Sequence, residues 1–128
     1  MSYNVLIVDD SAVVRSVIRK TLDLAKVDCA QVWEASNGSE GLQVLEREWV
    51  DLIFLDLNMP VMGGVEMIKN IHANGVTGST PVIVVSTEGS EKRIGELEEL
   101  GVRGFLRKPF RPEEFRDIVD RTLGVTND

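Results

Sequence analysis

Val5-Leu6-Ile7-Val8-Asp9-Asp10 is a run of four apolar residues closed by two acids. A segment with no polar position has no wet face, so a strand here must be covered on both sides, as in a parallel sheet flanked by helices. The same grammar returns in Leu52-Ile53-Phe54-Leu55 before Asp56, and in Val82-Ile83-Val84-Val85 before Ser86. Two weaker runs, Cys29–Ala35 and Gly104-Phe105-Leu106-Arg107 before Lys108-Pro109, bring the predicted strands to five.

Helical periods fill the gaps. Val14, Val17, Ile18, Thr21, Leu22 and Ala25 recur at the spacing of one amphipathic stripe. Leu42 and Leu45 carry a shorter one, and Val65, Ile68 and Ile71 another. Glu91–Leu100 offers only Ile94, Leu97 and Leu100 around Gly95, which predicts a weakly anchored helix. The last helix starts at Pro112, with Glu113 and Glu114 favouring its positive end, and stops at Gly124. Its predicted inner side is Phe115, Ile118, Val119 and Leu123. The β-α order repeats five times. Right-handed crossovers wrap such a chain into a doubly wound α/β sheet with helices on both faces.

The 128 residues are 43% hydrophobic and 27% charged, enough for one domain and no second. The single Cys29 cannot form an internal bridge, which fits a reducing, cytoplasmic setting. The first residues lack the basic and apolar regions of a signal peptide, and no apolar run is long enough to cross a bilayer. A net charge of −7 repels phosphate backbones, and seven aromatic side chains are few for stacking bases. Nucleic-acid binding and membrane insertion are therefore not expected.

Ligands of open α/β sheets bind beyond the carboxyl ends of the strands. Those ends carry Asp9, Asp10, Asp56, Ser86 and Lys108. Three carboxylates converging there would repel one another by about 4 kcal/mol per pair at an effective dielectric near 20. The cluster calls for a cation, and Mg²⁺ suits hard oxygen ligands left partly open to water. Mg²⁺ and Lys108 together would cancel the three charges. The chemistry this permits is phosphoryl transfer to an aspartate. The lone His72 leaves no Ser/His/Asp arrangement, and no glycine-rich nucleotide loop is present.

In combination, Leu6–Asp10, Asp56-Leu57-Asn58-Met59-Pro60 with Gly63-Gly64, Ser86 and Lys108-Pro109-Phe110 resemble the receiver domain of two-component response regulators, in its stand-alone chemotaxis type. The resemblance runs from about Asn4 to Leu123. It implies a flavodoxin-like sheet of order 2-1-3-4-5, one receiver domain over residues 1–128, and no effector domain. It makes Asp56 the phospho-acceptor, with Asp10, Asp56 and the backbone carbonyl of Asn58 holding Mg²⁺, or Mn²⁺ in its place, directly and Asp9 through water. Lys108 would contact the phosphoryl group, Ser86 and Phe105 would be the switch pair, and Asn58, Thr87 and Glu88 would tune the phosphoryl lifetime. The implied partners are a sensor histidine kinase or phosphotransfer protein, and a protein target at the face of the fourth helix, fifth strand and fifth helix. Self-phosphorylation and slow self-dephosphorylation would be its only catalysis.

Three residues depart from that pattern. Phe105 stands in place of a tyrosine, Thr87 in place of a smaller residue, and Leu57 in place of a tryptophan. Other readings compete. Asp9-Asp10 could cap a helix, Ser86 could cap a turn, and Lys108 could be a surface lysine before a cis or trans Pro109. Cys29 reads as a packing residue, and so do Trp33 and Trp49, one of the two partly exposed. An aspartate phosphohydrolase would want a second acid where Asn58 stands, and a flavin module would want a phosphate loop where Ser11-Ala12-Val13-Val14 stands.

Overall fold

The computed structural model describes residues 2–124. Its elements are β1 (Tyr3–Val8), α1 (Ala12–Leu24), β2 (Cys29–Ala35), α2 (Gly38–Arg47), β3 (Leu52–Leu55), α3 (Gly64–Ala73), β4 (Val82–Ser86), α4 (Glu91–Glu99), β5 (Gly104–Arg107) and α5 (Pro112–Leu123). All neighbouring strands pair in parallel, in the order β2-β1-β3-β4-β5. β3 is central between β1 and β4, and every residue of β3 and β4 is buried. Residues 125–128 lie outside the described part.

Alternation within each strand supplies two cores. Leu6 and Val8 face a layer with Val44, Met67, Ile68, Ile71 and Leu97, from α2, α3 and α4. Val5 and Ile7 face Ile18, Leu22, Phe115, Ile118 and Val119, from α1 and α5. On that side Phe54 stacks on Phe115 with ring centroids 5.0 Å apart. Each such buried side chain contributes about 1.5–3 kcal/mol relative to exposure.

The helical stripes are narrower than the sequence predicts. In α1, Ile18, Thr21, Leu22 and Ala25 are buried and Val14 is half-buried, but Val17 is 49% exposed. At 100° per residue Val17 points about 90° from the centre of the buried set. In α2 the innermost positions are Gly38, Gly41 and Val44, while Leu42 and Leu45 are half-buried. A Cβ at Gly41 would lie 2.6 Å from Met67 Cε and 3.2 Å from Val8 Cγ2, so the helix approaches where it has no side chain. Leu123 is half-buried at the end of α5, and α4 buries only Leu97. Cys29 is half-buried because β2 is an edge strand. Trp49 is not a packing residue: it is 68% exposed.

Candidate functional site

The parallel register sets the site. β1 and β3 pair as Val8↔Leu55, so the residues that follow, Asp9 and Asp56, leave the sheet side by side. Backbone bonds extend the alignment one step: Asp56 N–H donates to Val8 O at 3.0 Å, and Asp9 N–H to Ala35 O at 3.1 Å. Lys108 N–H donates to Ser86 O at 2.9 Å, which fixes the end of β5 beside β4. The Lys108-Pro109 peptide is cis.

Four of the predicted groups meet there. Carboxylate oxygens of Asp9, Asp10 and Asp56 lie within 4.8 Å of one another. Lys108 Nζ is 3.2 Å from Asp9 Oδ2 and 3.8 Å from Asp56 Oδ1. Asp9 is 2% exposed, and its Oδ1 accepts from Ser11 N–H at 2.9 Å. Arg15 Nη1 donates to the Asp9 carbonyl at 2.6 Å. The helix cap is Ser11, whose Oγ accepts from Val14 N–H, so neither acid serves as the N-cap. Asp10 is exposed and, among the described residues, has no hydrogen bond or ion pair.

The electrostatics follow from this crowding. Burial raises the Asp56 carboxyl above its ordinary pKa; Asp9 and Asp10 add to the rise, while Lys108 and the Leu57 N–H oppose it. Charge is thus disfavoured on the carboxylate that the sequence marks as acceptor. A multivalent cation on these oxygens would relieve the repulsion, and three hard oxygen donors with one exposed acid fit an ion that keeps water.

The loop after β3 is held tightly. Gly64 N–H donates to Leu57 O at 3.0 Å, and a Cβ at Gly64 would stand 2.5 Å from the Asp56 carbonyl oxygen. Val61 in this loop has φ 65° and is 85% exposed. Asn58 is exposed two residues beyond Asp56.

Ser86, Phe105, Thr87 and Glu88 occupy a second tier. Ser86 is buried at the end of β4, and its Oγ accepts from Glu88 N–H at 3.2 Å, a turn contact rather than one to the acids. Thr87 and Glu88 are exposed. Phe105 is half-buried on β5, where a Cβ at Gly89 would stand 3.4 Å from its Cε1. Arg15 went unnoticed in the sequence. Its signal was a cation in a first turn that holds no acid, where the helix dipole disfavours positive charge. His72, at the end of α3, packs its ring against Gly101, away from the acids.

A family model of the response regulator receiver domain matches residues 5–120. The chain is 34% identical over 121 residues to the chemotaxis protein CheY homolog of Campylobacter jejuni, covering 94% of this chain and 92% of the relative. It is 32% identical to chemotaxis protein CheY1 of Helicobacter pylori, covering 96% and 98%. Its fold is similar to crystalline Vibrio cholerae CheY4, with a TM-score of 0.85, 34% identity, and 96% and 100% of the two chains covered.

Proposed function

The chain belongs to the response regulator receiver domain family, a phosphorylation-dependent signalling switch, and from that membership we propose that Asp56 accepts the phosphoryl group. The observation that carries this is the convergence of Asp9, Asp10 and Lys108 on Asp56. One Asp56 oxygen forms an O–P bond as the P–N bond of a partner's phosphohistidine breaks, and the electron pair returns to the imidazole nitrogen.

Asp9, Asp10, Asp56 and the Asn58 carbonyl would hold Mg²⁺, or Mn²⁺ in its place, which when bound supplies charge neutralisation at the phosphoryl oxygens. Lys108, already paired with Asp9 and near Asp56, orients and neutralises the same group. Ser86 exchanges its turn contact for a phosphoryl oxygen, and Phe105 follows into the vacated space. Thr87, Glu88 and Asn58, all exposed, would tune how readily water reaches the phosphoryl group.

Under this reading the phosphodonor is a sensor histidine kinase or a phosphotransfer protein in the cytoplasm. The output is a protein target at the face of α4, β5 and α5. Catalysis is limited to accepting the phosphoryl group and slowly losing it. Among the described residues no helix is long and apolar enough to cross a membrane. The test is radiolabel transfer from a phosphohistidine donor followed by hydroxylamine. Release of the label, with hydroxamate on the peptide bearing Asp56, is expected. A hydroxylamine-stable label, or one on another peptide, contradicts the assignment.

A further inference from the structure

At the end of the sheet remote from the carboxylates, the starts of β1 and β2 and the turn between α2 and β3 border an open groove of about 470 Å³. Asn4, Gln31, Trp33, Glu48 and Trp49 line it. Asn4 and Gln31 are register partners, so two amide residues sit side by side between the two tryptophans' segments.

Trp49 is exposed yet held. Its Nε1–H donates to Asp51 Oδ1 at 3.0 Å. Asp51 Oδ2 accepts from Asn4 N–H at 2.8 Å, and Asp51 N–H donates to Asn4 O at 2.8 Å. Val50, between them, is buried. The indole's one polar atom is therefore satisfied within the chain, and its apolar ring atoms remain for contact. An aromatic anchor ordered before binding loses little entropy on binding.

The one charged residue lining the groove is Glu48. Among the described residues the exposed Glu48 carboxylate has no ion-pair or hydrogen-bond partner, and no basic residue lines the groove. Arg47 precedes it but is not part of the lining. Tryptophan is the best aromatic partner for a cation, a planar guanidinium stacks on it, and the same guanidinium can pair with a carboxylate and donate to amide oxygens.

We propose that this groove takes an arginine side chain from a protein partner, its guanidinium against Trp49 and paired with Glu48. The groove lies at the opposite end of the strands from Asp56, so the contact is independent of phosphorylation. It would tether the switch whatever its state.

The two indole Nε1–H signals in a nitrogen–proton correlation spectrum report on the site directly. The probes are blocked Gly-Arg-Gly, its lysine and citrulline counterparts, and tetramethylammonium, at physiological salt. Saturable shifts of both indoles with the arginine peptide are expected, weakened about threefold for lysine and about tenfold for citrulline and tetramethylammonium. Trp49→Ala and Glu48→Gln should each weaken arginine binding about three- to tenfold, Glu48→Gln without altering the melting curve, and Asp56→Asn should bind as wild type. Unmoved indoles, citrulline binding as tightly as arginine, or tetramethylammonium binding as tightly as the peptide would each overturn the proposal.

Discussion

Asp56 carries its charge at a penalty set by the sheet. Burial raises its pKa, and two carboxylates facing it add to the rise. A carboxyl whose folded pKa lies above its unfolded value loses protons on unfolding. Its contribution therefore lowers stability as pH rises from the unfolded value through the raised one. Asp56→Asn removes that charge and leaves Lys108 paired with Asp9. The variant is expected to melt higher than wild type at pH 7 without added metal, by on the order of 1 kcal/mol or roughly 3–5 °C. The gain should shrink as pH falls through the raised pKa, because wild-type Asp56 is then protonated too. Thermal melts across pH check the sign; equal melting temperatures at pH 7 would remove the argument from crowding.

Two elements carry strain or play. The loop after β3 places Val61 in the left-handed region, which costs an L-residue about 1–2 kcal/mol and a β-branched one no less. Its side chain is exposed, so little packing offsets that cost. Val61→Gly should therefore stabilise the domain by about 0.5–1 kcal/mol after the extra chain entropy of glycine is counted, readable as a shift in the urea midpoint with unchanged slope. The second element is α4, which buries only Leu97 and whose Ile94 and Leu97 border a cavity with Phe105. An apolar ring at 105 moves without losing a hydrogen bond. Ser86→Ala should still accept the phosphoryl group at Asp56, yet the amide exchange of residues 91–100 should change far less on phosphorylation than in wild type. Equal change in the variant, or change confined to α1, would place the coupling elsewhere.

At the scale of the whole molecule, the strands were the legible part. Runs such as Val5–Val8 and Leu52–Leu55 have one reading, because only a doubly covered strand tolerates no polar position. The ends of those runs then placed Asp9, Asp56, Ser86 and Lys108 on one edge. Helix faces were less legible. Apolar spacing alone put Val17 inside and overlooked Gly38 and Gly41, whose value is the absence of a side chain. Long-range polar contacts left no periodic trace: Arg15 on the Asp9 carbonyl and Asp51 on Trp49 depend on where the chain returns after many residues. An exposed tryptophan was foreseen, but nothing in the sequence told which of Trp33 and Trp49 it is, since both stand in or beside a strand.

On the proposed function, the acid cluster of Asp9, Asp10 and Asp56 serves to place a phosphoryl group on one of its own members. The most direct test of this role is the intact mass of the chain after a small acyl-phosphate donor, with and without Mg²⁺. Wild type should gain a single phosphoryl group only with Mg²⁺, Asp56→Asn should gain none, and Asp10→Ala should stay folded yet gain none at ordinary Mg²⁺. A phosphoryl group on Asp56→Asn, or equal labelling of wild type without any divalent cation, would contradict the account.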